Sequence, residues 1–370
     1  MRIESVEAIP LKASFRVPFR FGQTTRTASP NVLVAIRGSE GHVGWGEACP
    51  VPAFTSETQA SVVALVAEVV APALLGRDPL DRWPLLSAIG PALVGAPFTQ
   101  AAVDTALIDL AGRALGIPAS QLLGGAFRDR VEVHGSVGWD EDASRMAETA
   151  LAQRDAYRWL KLYAGRGELR ADLARLRAVR DAVGPATRLL VDINGQWSAD
   201  DFARALPELD GLAIRVVEQP MSAERPPALP PSVADRGFTV IADEAVRSRE
   251  DAARLVAAGA ASVLNIGHSK VGGPTAAMAI AQLAAAFGVG AVVGSVLEMG
   301  VATAMGLHVA AALPDLAFPS YLVGPLKYRE QITVEQIDVA DSSVAVPAGP
   351  GLGVTVDLDA VAWLDARGAS

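Results

Sequence analysis

The 370-residue chain has a single cysteine, Cys49, so no disulfide can form within it and a reducing cytoplasm is the expected setting. Basic residues are also in deficit, 32 Lys and Arg against 41 Asp and Glu, giving a formal charge of −9 and a pI near 5.1. That balance argues against nucleic acid or an anionic membrane surface as a partner. The N-terminal MRIESVEAIPLKASFRVPF lacks the apolar core of a secretory signal. No charged residue occurs from Pro274 to Leu297, a run long enough to suggest a membrane span. Gln282, several glycines and a helix-to-strand change near Phe287-Gly288-Val289-Gly290 point instead to a buried helix leading into a buried strand. No membrane anchor is implied. Low-complexity linkers are missing too, so the parts of the chain are expected to pack firmly.

What is present divides into three parts. Residues 1–125 open with alternating strands, RIESVEAIPL and NVLVAIRGSEGHVGWGEA, the second turning at Ser39-Glu40-Gly41. Helical stretches from Glu57 to Leu75 and from Pro97 to Leu115 make this an α+β unit. Residues 126–325 alternate strand and helix, with strand ends expected near Gly138, Tyr163, Asp192, Glu218, Asp243, Gly267, Gly294 and Tyr321. That spacing describes a parallel α/β barrel. Residues 326–370, with PGPGLGVTVDLDAVAWL, read as a return segment.

Three acids carry the strongest functional signal. Asp192 in LLVDINGQW, Glu218 in IRVVEQP and Asp243 in TVIADEA follow one another at 26 and 25 residues. Each closes a short aliphatic run, and about 25 residues is one strand–helix unit of a barrel. The acids therefore project from the same end of three consecutive parallel strands. Carboxylate oxygens converging there suit Mg2+, a hard cation that leaves positions open for water or substrate. One such acid would more simply cap the following helix. Three in a row favour a metal site.

With these motifs the chain resembles the enolase superfamily, in its muconate lactonizing enzyme and mandelate racemase branch. GHVGWGEACP, VDINGQW, VVEQP, ADEA, KVGG, GSVLEMG, LVGPL and the closing PGLGV carry the resemblance, in order and over nearly the whole chain. It implies a modified (β/α)8 barrel of TIM type under an α+β capping domain built from both chain ends. It likewise implies Asp192, Glu218 and Asp243 as Mg2+ ligands, a small carboxylate substrate, a metal-stabilised enolate after α-proton abstraction, and a homo-oligomer. Such sites pair Mg2+ with a lysine or histidine base.

The chain departs from the family where that base should stand. The second strand usually carries K-x-K, but YRWLKLYAG places Lys161 first and Tyr163 second. On the sixth strand, VLNIGHSKVGG has Gly267 in place of the usual lysine. Lys161 and Tyr163 share a strand face, and a nearby ammonium favours phenolate. Tyr163 thus becomes the leading proton-transfer candidate, with Lys161 as its partner or as the base, and His268 as a third. Asn194 is expected to touch the metal's water or its ligands. Glu244 turns away from the metal unless the strand has ended, and Lys270 lies in solvent or behind the ligands. Glu298 is an acid in an apolar seventh strand, costly to bury unpaired, and is either a substrate contact or one half of a structural salt bridge.

The resemblance also implies specificity in loops of the cap, here Phe19–Thr25 and Val51–Thr58, with Arg20 meeting an anionic substrate and Phe19, Phe21 and Phe54 walling it. SYLVGPLKY lacks the D-x-D pair of dipeptide epimerases, so a dipeptide is disfavoured. Elimination (dehydration), cycloisomerisation and epimerisation all remain open. So does a non-catalytic descendant that keeps the metal and binds a carboxylate ligand.

Overall fold

The computed structural model describes residues 1–224, 228, 229 and 231–368. Three antiparallel strands, β1 (Ile3–Phe21), β2 (Thr24–Gly38) and β3 (Val43–Ala48), form the cap sheet. Gly41, at φ +83°, makes the turn at 39–41. The first hairpin is much longer than its apolar runs suggest. Its register shifts between Ser14 and Phe19, and this bulge re-aims the side chains beyond it. On β3 the Pro97–Leu115 helix lies directly on the backbone. A Cβ at Gly46 would stand 1.8 Å from the Ala102 carbonyl oxygen, so only glycine admits this approach.

The expected helix from Glu57 to Leu75 is broken up. Gln59–Leu65 and Ala71–Leu74 are α-helical, and Val66–Val70 between them is one π-helical turn. Pro72 has no N–H to give, and widening the turn ahead of it absorbs the missing bond.

A short strand, β4 (Arg130–Glu132), leads into seven parallel strands, β5 (Gly135–Val137), β6 (Trp159–Tyr163), β7 (Arg188–Asp192), β8 (Val216–Glu218), β9 (Thr239–Ala242), β10 (Val263–Asn265) and β11 (Gly290–Val292), hydrogen-bonded in sequence order. The eighth stave is irregular. Residues 317–321 bond to β11 through Ala317 N to Ala291 O (2.9 Å) and just beyond it through Tyr321 N to Val293 O (3.1 Å). On the other side Ser320 N reaches Glu132 O (2.9 Å) and His134 N reaches Ser320 O (3.2 Å), closing the barrel. Pro319 cannot donate to a ladder, which leaves this stave short of a regular strand. The charge-free stretch resolves into the Pro274–Ala286 helix and β11, and no helix among the described residues is long and apolar enough to cross a membrane.

The C-terminal segment pairs β12 (Ser343–Ala345) antiparallel with β4, a contact no local pattern signals. Its final helix, Leu358–Gly368, packs against β1 in the cap. Buried carboxylates stitch cap to barrel. Glu47 of β3 accepts from Met299 N (2.7 Å) and Ala302 N (3.0 Å) at the start of the Gly300–Ala312 helix. Asp104 of the cap helix accepts from Thr275 N (2.8 Å), capping the Pro274–Ala286 helix, and Asp109 accepts from Trp45 N (2.8 Å) and Leu352 N (2.7 Å). A carboxylate at a helix N-terminus satisfies free N–H groups and meets the positive end of the dipole.

Candidate active site

The mouth of the barrel is built by strand register. Tyr163 pairs with Asp192, and Asp192 with Glu218, so three neighbouring strands end level with one another. Asp243 is the first residue past β9. Lys161, two residues before Tyr163, shares its face. These side chains line one cavity at the mouth of the barrel. Phe19, Phe21, Val51 and Phe54 roof it from the cap, while Asn194, Glu244 and Asn265 join the acidic end.

Lys161 holds that end together. Its Nζ lies 2.7 Å from Asp192 Oδ2 and 2.9 Å from Glu218 Oε1, all three side chains almost fully buried. Asn265 Nδ2 also donates to Glu218 Oε1 (3.1 Å). Burial disfavours the Lys161 ammonium, yet the Asp192 and Glu218 carboxylates outweigh it and hold its pKa well above the ordinary value. Glu218 is pushed up to about 7 by burial, against the pull of Lys161. Lys270, expected in solvent or behind the ligands, is buried behind them: its Nζ meets Asp243 Oδ1 at 2.8 Å and the Val246 carbonyl at 3.1 Å.

The donor set can be tested for a cation. Among the described residues no three His, Cys, Asp or Glu side chains stand at the spacing of a ready-made metal-ligand set. The ammoniums of Lys161 and Lys270 sit against those carboxylates instead. Even so, Asp192, Glu218, Asp243 and Glu244 are four acids against two lysines. Glu244 Oε2 is buried without a partner, and burial followed by repulsion from Asp243 and Asp192 drives its pKa well up. Oxygen-only donors, more acidic groups than lysines and an orphaned carboxylate oxygen fit a hard divalent cation. Glu244 reaches the cavity because β9 ends at Ala242, and Asn194 Nδ2 donates to its Oε1 (3.0 Å). Asn194 also links outward, accepting from Gly22 N (2.9 Å) in the cap.

Tyr163 stands edge-on to Phe19, ring centroids 5.4 Å apart, with Lys161 Nζ 5.2 Å from its ring centre. Lys161 does favour phenolate, as the sequence suggests. Burial is the larger effect, however, and Tyr163 remains a neutral phenol with its pKa well above the ordinary value.

The remaining candidates scatter. Arg20 points away to Asp140 (3.4 Å) and is absent from the cavity wall. His268 is buried with its ring 3.6 Å from the point where Gly306 would carry a Cβ, outside the cavity lining. Glu298 lines a small side recess with Asp243, Gly267 and Lys270, where its Oε2 accepts from Val296 N (3.0 Å) and Ser295 Oγ while Oε1 has no partner. A Cβ at Gly267 would lie 3.5 Å from Lys270 Cε, so Lys270 runs beside the space a side chain there would enter.

Sequence reasoning passed over Arg26, His134, Tyr321 and Asn265, all on the cavity wall. His134 stacks on Tyr321 (5.0 Å, 6°), and its Nδ1 bonds the Gly135 carbonyl at 2.9 Å, so Nδ1 carries the proton. Asn265 alone had a signal, since alternation puts it on the same face as Gly267.

Two family models match this chain: "Enolase C-terminal domain-like" over residues 143–360 and "Mandelate racemase / muconate lactonizing enzyme, N-terminal domain" over residues 5–124. Muconate cycloisomerase 1 of Rhodococcus opacus is 32% identical over 365 residues, 98% of each chain. The L-Ala-D/L-Glu epimerase of Bacillus subtilis is 29% identical, over 96% of this chain and 97% of the relative. Among solved structures, muconate lactonizing enzyme from Pseudomonas fluorescens, crystallised with muconolactone, superposes with a TM-score of 0.92 at 30% identity, covering 98% of this chain and 99% of that one.

Proposed function

The chain belongs to the enolase superfamily, in its muconate lactonizing enzyme and mandelate racemase branch, and from that premise we propose an enzyme that abstracts the α-proton of a small carboxylate with the help of Mg2+. The observation that carries the reading is the level row of Tyr163, Asp192 and Glu218, bridged by Lys161 and continued by Asp243. Asp192, Glu218 and Asp243 would hold Mg2+, which when bound stabilises the negative charge that develops on the substrate carboxylate as the α-proton leaves.

Lys161 fixes the Asp192 and Glu218 carboxylates in one orientation and is the cation nearest to charge arising above them. Tyr163 Oη is the proton-carrying group beside it. Abstraction needs Tyr163 as phenolate, a form that a divalent cation held beside Lys161 would favour; the phenolate receives the α-proton, and the neutral phenol so formed returns it to the reacting carbon or the leaving group. Phe19, Phe21 and Phe54 exclude water above that atom, which strengthens each charge interaction below. Elimination, cycloisomerisation and epimerisation share this first step. A second reading, a descendant that binds a carboxylate without turnover, is favoured by one observation: both positions that hold the base in relatives with K-x-K carry other residues, Tyr163 and Gly267.

Deuterium exchange in D2O with Mg2+ and a pool of hydroxy, amino and N-acyl amino acids, read by mass spectrometry, separates the two. Exchange or water loss in the wild type but not in Tyr163→Phe supports the enzyme and its proton carrier. Exchange in both moves the proton to Lys161. No exchange in either, with Mg2+ bound, favours the ligand-binding reading.

A further inference from the structure

One side chain, Asn194, ties the roof of the cavity to its acidic end. The roof hangs on the first hairpin, where Gly22 and Gln23 join β1 to β2 and Phe19 and Phe21 face the cavity. Few bonds hold the hairpin tip to the barrel. Trp139 N donates to the Arg20 carbonyl (3.3 Å), and Arg20 Nη1 meets Asp140 Oδ2 (3.4 Å). Gln23 Nε2 donates to Gln196 Oε1 (3.1 Å), and Arg166 Nη1 to the Thr24 carbonyl (2.9 Å). Gly22 N donates to Asn194 Oδ1 (2.9 Å). Among the described residues, Asn194 alone of these partners also bonds the acids Asp192 and Glu244.

Those bonds fix which way the Asn194 side chain lies. Its Nδ2 donates to Glu244 Oε1 (3.0 Å), and its backbone N–H donates to Asp192 Oδ1 (2.9 Å). Turned over, the carboxamide would set its amino group against the Gly22 N–H and its oxygen against a carboxyl oxygen. What Glu244 does is therefore felt at Gly22. Glu244 in turn is held on one side only. Among the described residues Asn194 is the one other side chain bonded to its carboxyl, and Oε2 is buried without a partner. The chain thus leaves that carboxyl half-fixed, and with it the acceptor that seats the hairpin.

We propose that Asn194 is a positioning residue that couples cation occupancy among these acids to seating of the hairpin tip. This rests on the cation reading proposed above. With a cation at Asp192, Glu244 Oε2 gains a partner, directly or through a bound water, and the carboxyl is fixed from its second side. The Asn194 carboxamide is then fixed as well, and its oxygen stays on Gly22 N. Phe19, edge-on to Tyr163 at 5.4 Å, stays in place above the proton carrier. Linkage makes the effect reciprocal, so loss of the Asn194 bridge weakens cation binding too.

Hydrogen exchange at residues 19–25 of the full chain, read by mass spectrometry in chelator and in excess Mg2+ at equal ionic strength, tests this. Calorimetry measures Mg2+ affinity alongside. One hydrogen bond is worth about 0.5–1.5 kcal/mol, so Mg2+ should slow exchange at the tip roughly 2- to 12-fold. Asn194→Gly removes the carboxamide yet suits the left-handed backbone at that position (φ +48°). In this variant the tip should exchange fast in both conditions, and Mg2+ should bind roughly 2- to 12-fold more weakly. Gln23→Ala cuts a tip bond that reaches no acid of the barrel mouth. It should speed exchange at the tip but keep the slowing by Mg2+. Equal exchange with and without Mg2+ in a wild type that binds the ion overturns the proposal. So does slowing by Mg2+ that survives undiminished in Asn194→Gly. A wild type that binds no Mg2+ overturns the cation reading itself, and the coupling with it.

Discussion

Replacing Lys161 by methionine keeps most of the side chain's volume and removes the one ammonium that serves two buried carboxylates. Asp192 would keep the Asn194 N–H (2.9 Å) and Glu218 the Asn265 amide (3.1 Å), but both would lose their ion pair. Breaking a buried pair in this way costs about 3–5 kcal/mol. With an unfolding entropy of roughly 2.1 cal/mol/K per residue, the 370-residue chain has a total near 0.8 kcal/mol/K, so the melting temperature should fall by about 4–6 °C in chelator. The pH dependence has a definite sign. Without Lys161 the folded-state pKa values of both acids rise further above their unfolded values. The folded variant then binds more protons than the unfolded chain, and it regains stability as pH falls. The gap to wild type should therefore narrow from pH 8 to pH 6, and narrow again when excess Mg2+ replaces chelator at pH 8. Scanning fluorimetry across those conditions measures both. A gap below about 1 °C, or one indifferent to pH, would refute the account of Lys161 as the counterion of the pair.

Two shorter expectations concern the buried frame. Burial lowers His134 to about 3 and His308 to about 4, so the unfolded chain binds more protons below about pH 6.5 and stability drops with acidity. Between pH 7 and pH 5 each neutral histidine should account for about 2 kcal/mol of that loss, and urea unfolding of His134→Gln should show a shallower decline than wild type by about that amount. An identical slope would mean that His134 is charged in the folded protein. Gly46→Ala should cost upwards of about 3 kcal/mol, since its Cβ would meet the Ala102 carbonyl at 1.8 Å and must displace a helix backbone. A soluble variant with wild-type melting would show that helix and sheet are less closely apposed.

Features that depend on strand period were readable in the sequence. The level placement of Asp192 and Glu218 follows from one strand–helix unit per 26 residues, and the shared face of Lys161 and Tyr163 from alternation. Features set by long-range pairing were not. Which arginine enters the cavity depends on the register shift between Ser14 and Phe19, so Arg26 replaces the expected Arg20. His134 and Tyr321 meet only because residues 317–321 close the barrel against the first strand, more than 180 residues away in the chain. The effect of Lys161 on Tyr163 has the expected direction, but the depth of burial that outweighs it is a property of the cap, which no local motif encodes.

The carboxylates that join cap to barrel make the two halves poor candidates for exchange between relatives. Glu47 and Asp104 spend oxygens on backbone amides of the barrel, at Met299, Ala302 and Thr275, and Asp109 ties the cap sheet at Trp45 to the return segment at Leu352. A chimera carrying a foreign cap without acids at those places would leave helix ends bare in its own barrel. A foreign barrel whose helices start a residue earlier would deprive Glu47 and Asp104 of the amides that answer them in the seam. Inheritance of a new specificity is thus easiest one wall residue at a time, with the seam left untouched.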